Sequence, residues 1–238
     1  RYVVVYNEPN HAKEWGNKVD AKSYAKVLDQ TITALKNKNR DFFILNAGFD
    51  ASAPQQLPNY QDEVSFLQEM NNEVPGIFEK LDGWVSHSYP NPAFAGSPYA
   101  YGRGTVRTYL WELNLLRSLG VTKNLPVFIT EAGWKHAEGV VYDPYLPSAD
   151  IVSQYYQAAF EGAWNNSQLV AVTPFLLNYQ EYPFDHFSFT TTDKQFYPQF
   201  QTVSELPKIA GRPVQDNLAT LERGEIYSSI VAGETYHI

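Results

Sequence analysis

Apolar runs alternate with amphipathic segments along the chain, and this alternation predicts a repeated strand–helix unit. Short runs of β-branched and aromatic residues predict strands, at 2–6, 42–45, 83–87, 126–130 and 169–177. Apolar residues at helical spacing predict helices, at 19–36, 62–81, 106–119, 151–164 and 199–206. Continuous apolar strands that alternate with amphipathic helices are typical of a parallel sheet covered by helices.

Capping residues and helix breakers support several of these boundaries. Asp20 is available to the first turn of helix 19–36, and either Ser148 or Asp150 can cap helix 151–164. Gly120 ends helix 106–119. Pro75 and Gly76 interrupt helix 62–81.

Length and motifs favour a barrel over an open sheet. The chain has 238 residues, close to the roughly 250 of a compact (β/α)₈ barrel. No Gly-x-Gly-x-x-Gly turn follows the first strand, and no phosphate-loop lysine is present, so a nucleotide-binding open sheet loses its main support.

Composition excludes several classes of protein. Hydrophobic residues make up 44% and aromatic residues 15% of the chain, enough for a sizeable core. The net charge of −8 argues against a nucleic-acid partner, and no apolar run is long enough to span a membrane. Cysteine is absent and the histidines lack the spacing of a helical zinc pair. We therefore expect neither a metal nor another cofactor.

Two glutamates are the main candidates for chemistry because each follows an apolar strand. Glu8 comes after strand 2–6, and Glu131 after strand 126–130. In parallel α/β folds, the carboxyl ends of the strands form the active face. Two carboxylates there suit double-displacement glycoside hydrolysis, in which their separation is about 5–5.5 Å.

The motifs around these glutamates resemble those of clan GH-A, the large group of retaining (β/α)₈ glycoside hydrolases. Asn7-Glu8-Pro9 is similar to the clan's acid/base motif on the fourth strand, and family 39 and family 5 are the members we compare it with. Residues 130–134, Thr-Glu-Ala-Gly-Trp, resemble the nucleophile motif on the seventh strand. His87-Ser88-Tyr89 is similar to the sixth-strand His/Tyr position.

The resemblance implies a role for each matching residue. Glu8 would be the general acid/base and Glu131 the nucleophile. Asn7 would hydrogen-bond the 2-hydroxyl of the sugar, and Tyr89 would hold the nucleophile carboxylate in its ionised form. His87 would face the same site, with a buried structural histidine as the alternative.

Aromatic residues are candidates for sugar binding. Trp15 and Trp134 could each stack on a sugar ring or pack in the core. The clan usually carries a tryptophan on the eighth strand, where this chain has no tryptophan. Phe175 or Tyr179 would then form the floor of the sugar site, unless the floor is built differently.

The resemblance places the first strand of this chain at the fourth strand of the barrel. We therefore expect a partial TIM barrel of about five βα units over residues 1–210, a fragment of a longer protein that is itself potentially inactive. Residues 211–238 would be a linker followed either by the start of a β-rich module, with a hairpin in 225–238, or by a plain ordered tail.

The function expected is hydrolysis of O-glycosidic bonds in a poly- or oligosaccharide. A non-catalytic carbohydrate-binding barrel is the main alternative, and an unrelated α/β hydrolase is a third hypothesis. The sequence contains no targeting segment, and a glycan-degrading parent favours an extracellular or cell-surface location. The sequence determines neither the oligomeric state of the protein nor the sugar it acts on and the linkage of that sugar.

Overall fold

The computed structural model describes residues 2–209, 211 and 213. Its strands are β1 Tyr2–Val4, β2 Phe43–Leu45, β3 Trp84–His87, β4 Val127–Ala132 and β5 Leu169–Pro174. Its α-helices are α1 Ala21–Lys38, α2 Glu63–Glu73, α3 Thr108–Ser118, α4 Ala149–Ala158 and α5 Pro198–Glu205. Short 3₁₀ turns occupy Ala12–Glu14, Ile77–Lys80 and Asp185–Phe187, and a π-helical turn, Ala159–Ala163, extends α4.

The predicted alternation of strands and helices is confirmed. Four strands are shorter than their apolar runs, whereas β4 extends past the predicted end at 130 to Ala132. Strand β1 ends before Tyr6, whose φ of 72° is left-handed and cannot continue an extended strand. The predicted helix 62–81 is divided into α2 and the turn Ile77–Lys80, with Gly76 at φ 74° between them. Thus the Pro75-Gly76 interruption ends one helix and begins another.

Hydrogen bonds divide the strands between two sheets. Strand β1 pairs in parallel with β2, and the second sheet has the order β3, β4, β5. A single parallel bridge joins Leu45 to Gly83, the residue before β3. The fold is therefore mixed α/β with parallel strands.

The chain forms two compact units. Among the described residues, the first contains 2–85, 114–128 and those from 208 onward, and the second contains 86–113 and 129–207. In the first unit, α1 packs on α2 over a buried aromatic core that includes Tyr24, Phe49, Phe66 and Trp84. In the second, α4 packs on α5, and its core includes Tyr109, Trp134, Tyr156 and Phe187.

Side-chain caps begin three of the helices. The Asp20 carboxylate accepts the Ser23 backbone N–H at 2.9 Å, and the Asp62 carboxylate accepts that of Val64 at 2.9 Å. Ser148 rather than Asp150 caps α4, through the Ile151 N–H at 3.4 Å. These caps satisfy backbone donors that a helix leaves without partners at its first turn.

The predicted domain boundary at residue 211 stays a prediction. Apart from residues 211 and 213, the segment 211–238 lies outside the described residues, and so does the hairpin expected in 225–238.

Candidate active site

Glu131 lies near the end of β4, where the strand changes its register against β3. The Trp84 N–H binds the Pro126 carbonyl, and the Ser88 N–H binds the Glu131 carbonyl at 3.1 Å. Between these two hydrogen bonds the chain advances from 84 to 88 on the β3 side but from 126 to 131 on the β4 side. The β4 side therefore has one extra residue, as a β-bulge requires. Burial alternates from Val127 to Thr130 and then shifts, so the Glu131 side chain is half-buried rather than packed in the core. A bulge of this kind redirects a side chain that a regular strand would bury.

Two side chains from the β3 segment approach one carboxylate oxygen of Glu131. The Tyr89 hydroxyl donates a hydrogen bond to Oε2 at 3.0 Å, and His87 Nδ1 lies 3.8 Å from the same atom. The side chain of His87 is only 2% exposed and that of Glu131 is 27% exposed. The carboxylate is therefore oriented by the Tyr89 hydrogen bond, with His87 close beside it, while part of it stays accessible.

The Tyr89 ring is held by aromatic neighbours from other loops of this unit. It makes edge-to-face contacts with Phe94 at 5.1 Å and with Phe175 at 6.1 Å between ring centroids. Phe187 contacts all three rings at 5.3–6.0 Å. Packing on several sides restricts the tyrosine rotamer and so orients the hydroxyl at Glu131.

Trp134 belongs to the core of the second unit. Its side chain is 1% exposed, packs against Tyr155, Tyr156 and Trp164, and donates its indole N–H to the Gly96 carbonyl at 2.7 Å. Of the alternatives that the sequence left open for Trp134, the structure supports core packing.

Glu8 belongs to the first unit and has an unusual backbone conformation. Its φ is 35°, and that of Tyr6 is 72°. Left-handed backbone in non-glycine residues costs about 1–3 kcal/mol and is concentrated at functional sites. The Glu8 N–H donates to the Gly48 carbonyl at 3.0 Å, and the Glu8 carbonyl accepts the His11 N–H at 2.9 Å. These backbone hydrogen bonds hold the strained turn in place.

A polar cluster with a buried asparagine follows Glu8 directly. Asn10, which is fully buried, donates to the carbonyls of Asp50 at 2.9 Å and Gln61 at 3.3 Å. His11 Nε2 lies 2.8 Å from Asp50 Oδ2. Burial lowers the pKa of His11, but the Asp50 hydrogen bond and the charge of Glu8 outweigh this effect, so the pKa is raised overall.

Sequence reasoning did not identify His11, Asp50 or Asn10 as a cluster. A signal was present, because Asn10 and His11 continue the Glu8 motif and Asp50 follows the second apolar run at its carboxyl end.

The other candidates of the first unit have simpler surroundings. The Asn7 side chain is exposed. Trp15 donates its indole N–H to Ser23 Oγ at 2.7 Å and makes edge-to-face contacts with Tyr6 and Tyr24.

Comparisons with known proteins support the fold class. No protein-family model matches the chain, and no curated protein matches it. Among solved structures, it is similar to a GH128 (subgroup II) endo-β-1,3-glucanase from Sorangium cellulosum, with 15% identity over 88% of this chain and 71% of that chain and a TM-score of 0.59. The corresponding enzyme from Pseudomonas viridiflava gives 16% identity over 87% of this chain and 70% of that chain, with a TM-score of 0.59.

A third similar structure has a different linkage specificity. It is an endo-β-1,4-glucanase from Xanthomonas axonopodis pv. citri with a triple mutation, 17% identical over 86% of this chain and 58% of that chain, with a TM-score of 0.51. At these identities the likeness establishes the fold alone: the chain has a mixed α/β fold of the kind found in glycoside hydrolases. No helix among residues the structure describes is both long enough and apolar enough to cross a membrane.

Proposed function

We propose that this protein is a retaining glycoside hydrolase of the clan GH-A type, acting on a β-linked glucan as its poly- or oligosaccharide substrate. The observation that carries the proposal is the environment of Glu131, whose Oε2 accepts a hydrogen bond from Tyr89 and lies 3.8 Å from His87. The fold supports it, because similar structures include endo-β-1,3-glucanases and an endo-β-1,4-glucanase.

In the proposed reaction, the Glu131 carboxylate attacks the anomeric carbon and Glu8 gives its proton to the departing glycosidic oxygen. A covalent glycosyl–Glu131 ester forms as the bond to the leaving sugar breaks. Glu8, now ionised, takes a proton from water, whose oxygen attacks the anomeric carbon and releases the Glu131 carboxylate. Anomeric configuration is retained because the two displacements each invert it.

The remaining residues orient substrate and nucleophile in this proposal. Tyr89 and His87 hold Glu131, and the exposed Asn7 binds the 2-hydroxyl of the sugar. Phe175 forms part of the sugar site. The chain supplies about five βα units of a partial (β/α)₈ barrel in residues 1–210.

The test measures hydrolysis of aryl β-glucosides and β-glucans by the protein at its natural full length. Glu131→Ala should lose nearly all turnover, and azide should restore it with inverted anomeric configuration, because azide attacks from the side that the carboxylate vacates. Glu8→Ala should be slow mainly on substrates with poor leaving groups, since only those need the proton. Glu205→Gln, an exposed glutamate in α5, is the matched control and should retain full activity.

Tyr89→Phe removes a single hydroxyl and tests the contact directly. A hydrogen bond to a charged group contributes about 1.5–3 kcal/mol, so kcat should fall at least about tenfold. Normal turnover in both Glu131→Ala and Glu8→Ala would refute the assignment. Binding of glucan without any hydrolysis would favour the non-catalytic alternative.

A further inference from the structure

A series of aromatic contacts leads from Glu131 to the protein surface. The Tyr89 ring contacts Phe175 at 6.1 Å, Phe175 contacts Phe184 at 5.5 Å, and Phe184 contacts Tyr179 at 5.6 Å. All three contacts are edge-to-face, with interplanar angles of 71–81°. Tyr89 and Phe175 are half-buried, whereas Phe184 is 40% and Tyr179 is 39% exposed. The aromatic surface therefore continues from the candidate nucleophile out to solvent.

The segment 176–190 that carries the outer rings is fixed by its own hydrogen bonds. Gln180 donates to the Thr190 carbonyl at 2.8 Å, and Asn178 Oδ1 accepts the Thr190 hydroxyl at 2.9 Å. The Tyr179 N–H donates to Ser188 Oγ at 3.3 Å. This network holds the two rings at the surface, so that a ligand meets a preorganised face and pays little to order it.

We propose that Tyr179 and Phe184 form a binding surface for a glucan residue beyond the one cleaved at Glu131. The proposal rests on the proposed function, because it takes Glu131 as the point of cleavage. Aromatic rings suit a sugar ring, which presents C–H groups on its faces and hydroxyls at its edges. The exposed polar side chains of Asn178 and Glu181 lie in the same segment and suit those hydroxyls.

A purely structural role for the two rings predicts a different result. If they only cover Phe175, truncating them should lower stability and slow every substrate by the same factor. A binding surface affects only substrates long enough to reach it. Comparing a short substrate with a long one separates the two roles.

The experiment uses Phe184→Ala and Tyr179→Ala, singly and together, in the protein at its natural full length. Phe184→Leu is included because it keeps apolar volume against Phe175 and removes the flat ring. Tyr145→Ala, a tyrosine that is 95% exposed on another loop of the second unit, is the control. The substrates are 4-nitrophenyl β-glucoside, soluble β-1,3-glucan and soluble β-1,4-glucan.

For the glucan that the unchanged protein hydrolyses with the higher kcat/KM, we expect KM to rise about tenfold in the double variant. The kcat/KM for the aryl glucoside should stay within about twofold of the value for the unchanged protein. Phe184→Leu should share the effect of Phe184→Ala, and Tyr145→Ala should behave as the unchanged protein. An equal loss on short and long substrates, or no loss on glucan, overturns the proposal.

A binding measurement keeps this proposal separate from the proposed function. Migration through native gels that contain each glucan reports affinity without catalysis. The unchanged protein should be retarded, and the double variant should not. Retardation lost in the double variant while Glu131→Ala still hydrolyses glucan would refute the catalytic assignment and support the binding surface. No retardation of the unchanged protein by either glucan overturns the surface.

Discussion

Replacing Gly133 by alanine tests how the Glu131 loop packs on the end of β5. Gly133 lies two residues after Glu131, and its φ is outside the left-handed region, so space alone restricts the substitution. An added Cβ would collide with the Phe175 backbone carbonyl and would lie 2.9 Å from the Tyr156 hydroxyl. Neither neighbour is the free end of a flexible side chain, so the loop itself has to move.

Tyr156 has no room to retreat from the new methyl group. Its side chain is fully buried and contacts Trp134 at 5.0 Å, Phe189 at 5.4 Å and Trp164 at 6.3 Å. Overpacking of such a site costs about 1–3 kcal/mol. For a protein of this length, each kcal/mol lowers Tm by about 2–4 °C.

The assay is thermal unfolding followed by circular dichroism, together with turnover of a glucan substrate. We expect Gly133→Ala to lower Tm by about 2–12 °C. It should also reduce turnover, because the displaced loop carries Glu131. The control is Gly162→Ala in the π-helical turn, where the new methyl would lie 3.7 Å from Arg107 Nη2 in ordinary contact. Equal Tm and turnover in Gly133→Ala and the unchanged protein would refute the packing argument.

Two predictions concern ionised groups in the first unit. Asp82, whose side chain is 8% exposed, pairs with Lys36 at 2.6 Å, so Asp82→Ala should lower the free energy of unfolding by about 3 kcal/mol in urea titrations. Asp29→Ala breaks the more exposed pair with Lys80 and should lower the free energy of unfolding by less than about 1 kcal/mol. Equal losses in Asp82→Ala and Asp29→Ala would contradict the role of burial. Because the folded-state pKa of His11 is raised, its stabilisation is complete below about pH 6.5 and is lost as pH rises through the folded pKa. In unfolding titrations across that range, His11→Gln should remove this part of the pH dependence, and an unchanged profile would contradict it.

Local features of the sequence were sufficient to predict the secondary structure and its order. Each apolar run overlaps one observed strand, although β4 extends beyond its run to Ala132, and the amphipathic segments correspond to the observed helices, with 62–81 divided into α2 and a 3₁₀ turn. Asp20 was identified as a helix-starting residue, and its carboxylate accepts the Ser23 N–H. These features depend on residues that are close in the chain, so their spacing and type are enough to predict them.

The candidate site needed contacts between residues far apart in the chain. Tyr89 and Glu131 are 42 positions apart, and His11 and Asp50 are 39 apart. The resemblance implied the first contact, whereas for the second the sequence showed only that each residue follows an apolar run, and not that the two side chains meet. The sequence also left Trp134 undecided between sugar binding and core packing, and the packing of Tyr156 and Trp164 around it resolved the choice.

The sequence by itself determined which segments become strands and helices, and that both candidate carboxylates follow apolar runs; in the structure Glu131 is itself part of β4. Tertiary structure decided which oxygen of Glu131 Tyr89 binds, and where the exposed rings of Tyr179 and Phe184 lie relative to Phe175. The physical reason is that strand and helix formation depend on neighbouring residues, whereas the orientation of a side chain depends on all the segments that pack around it.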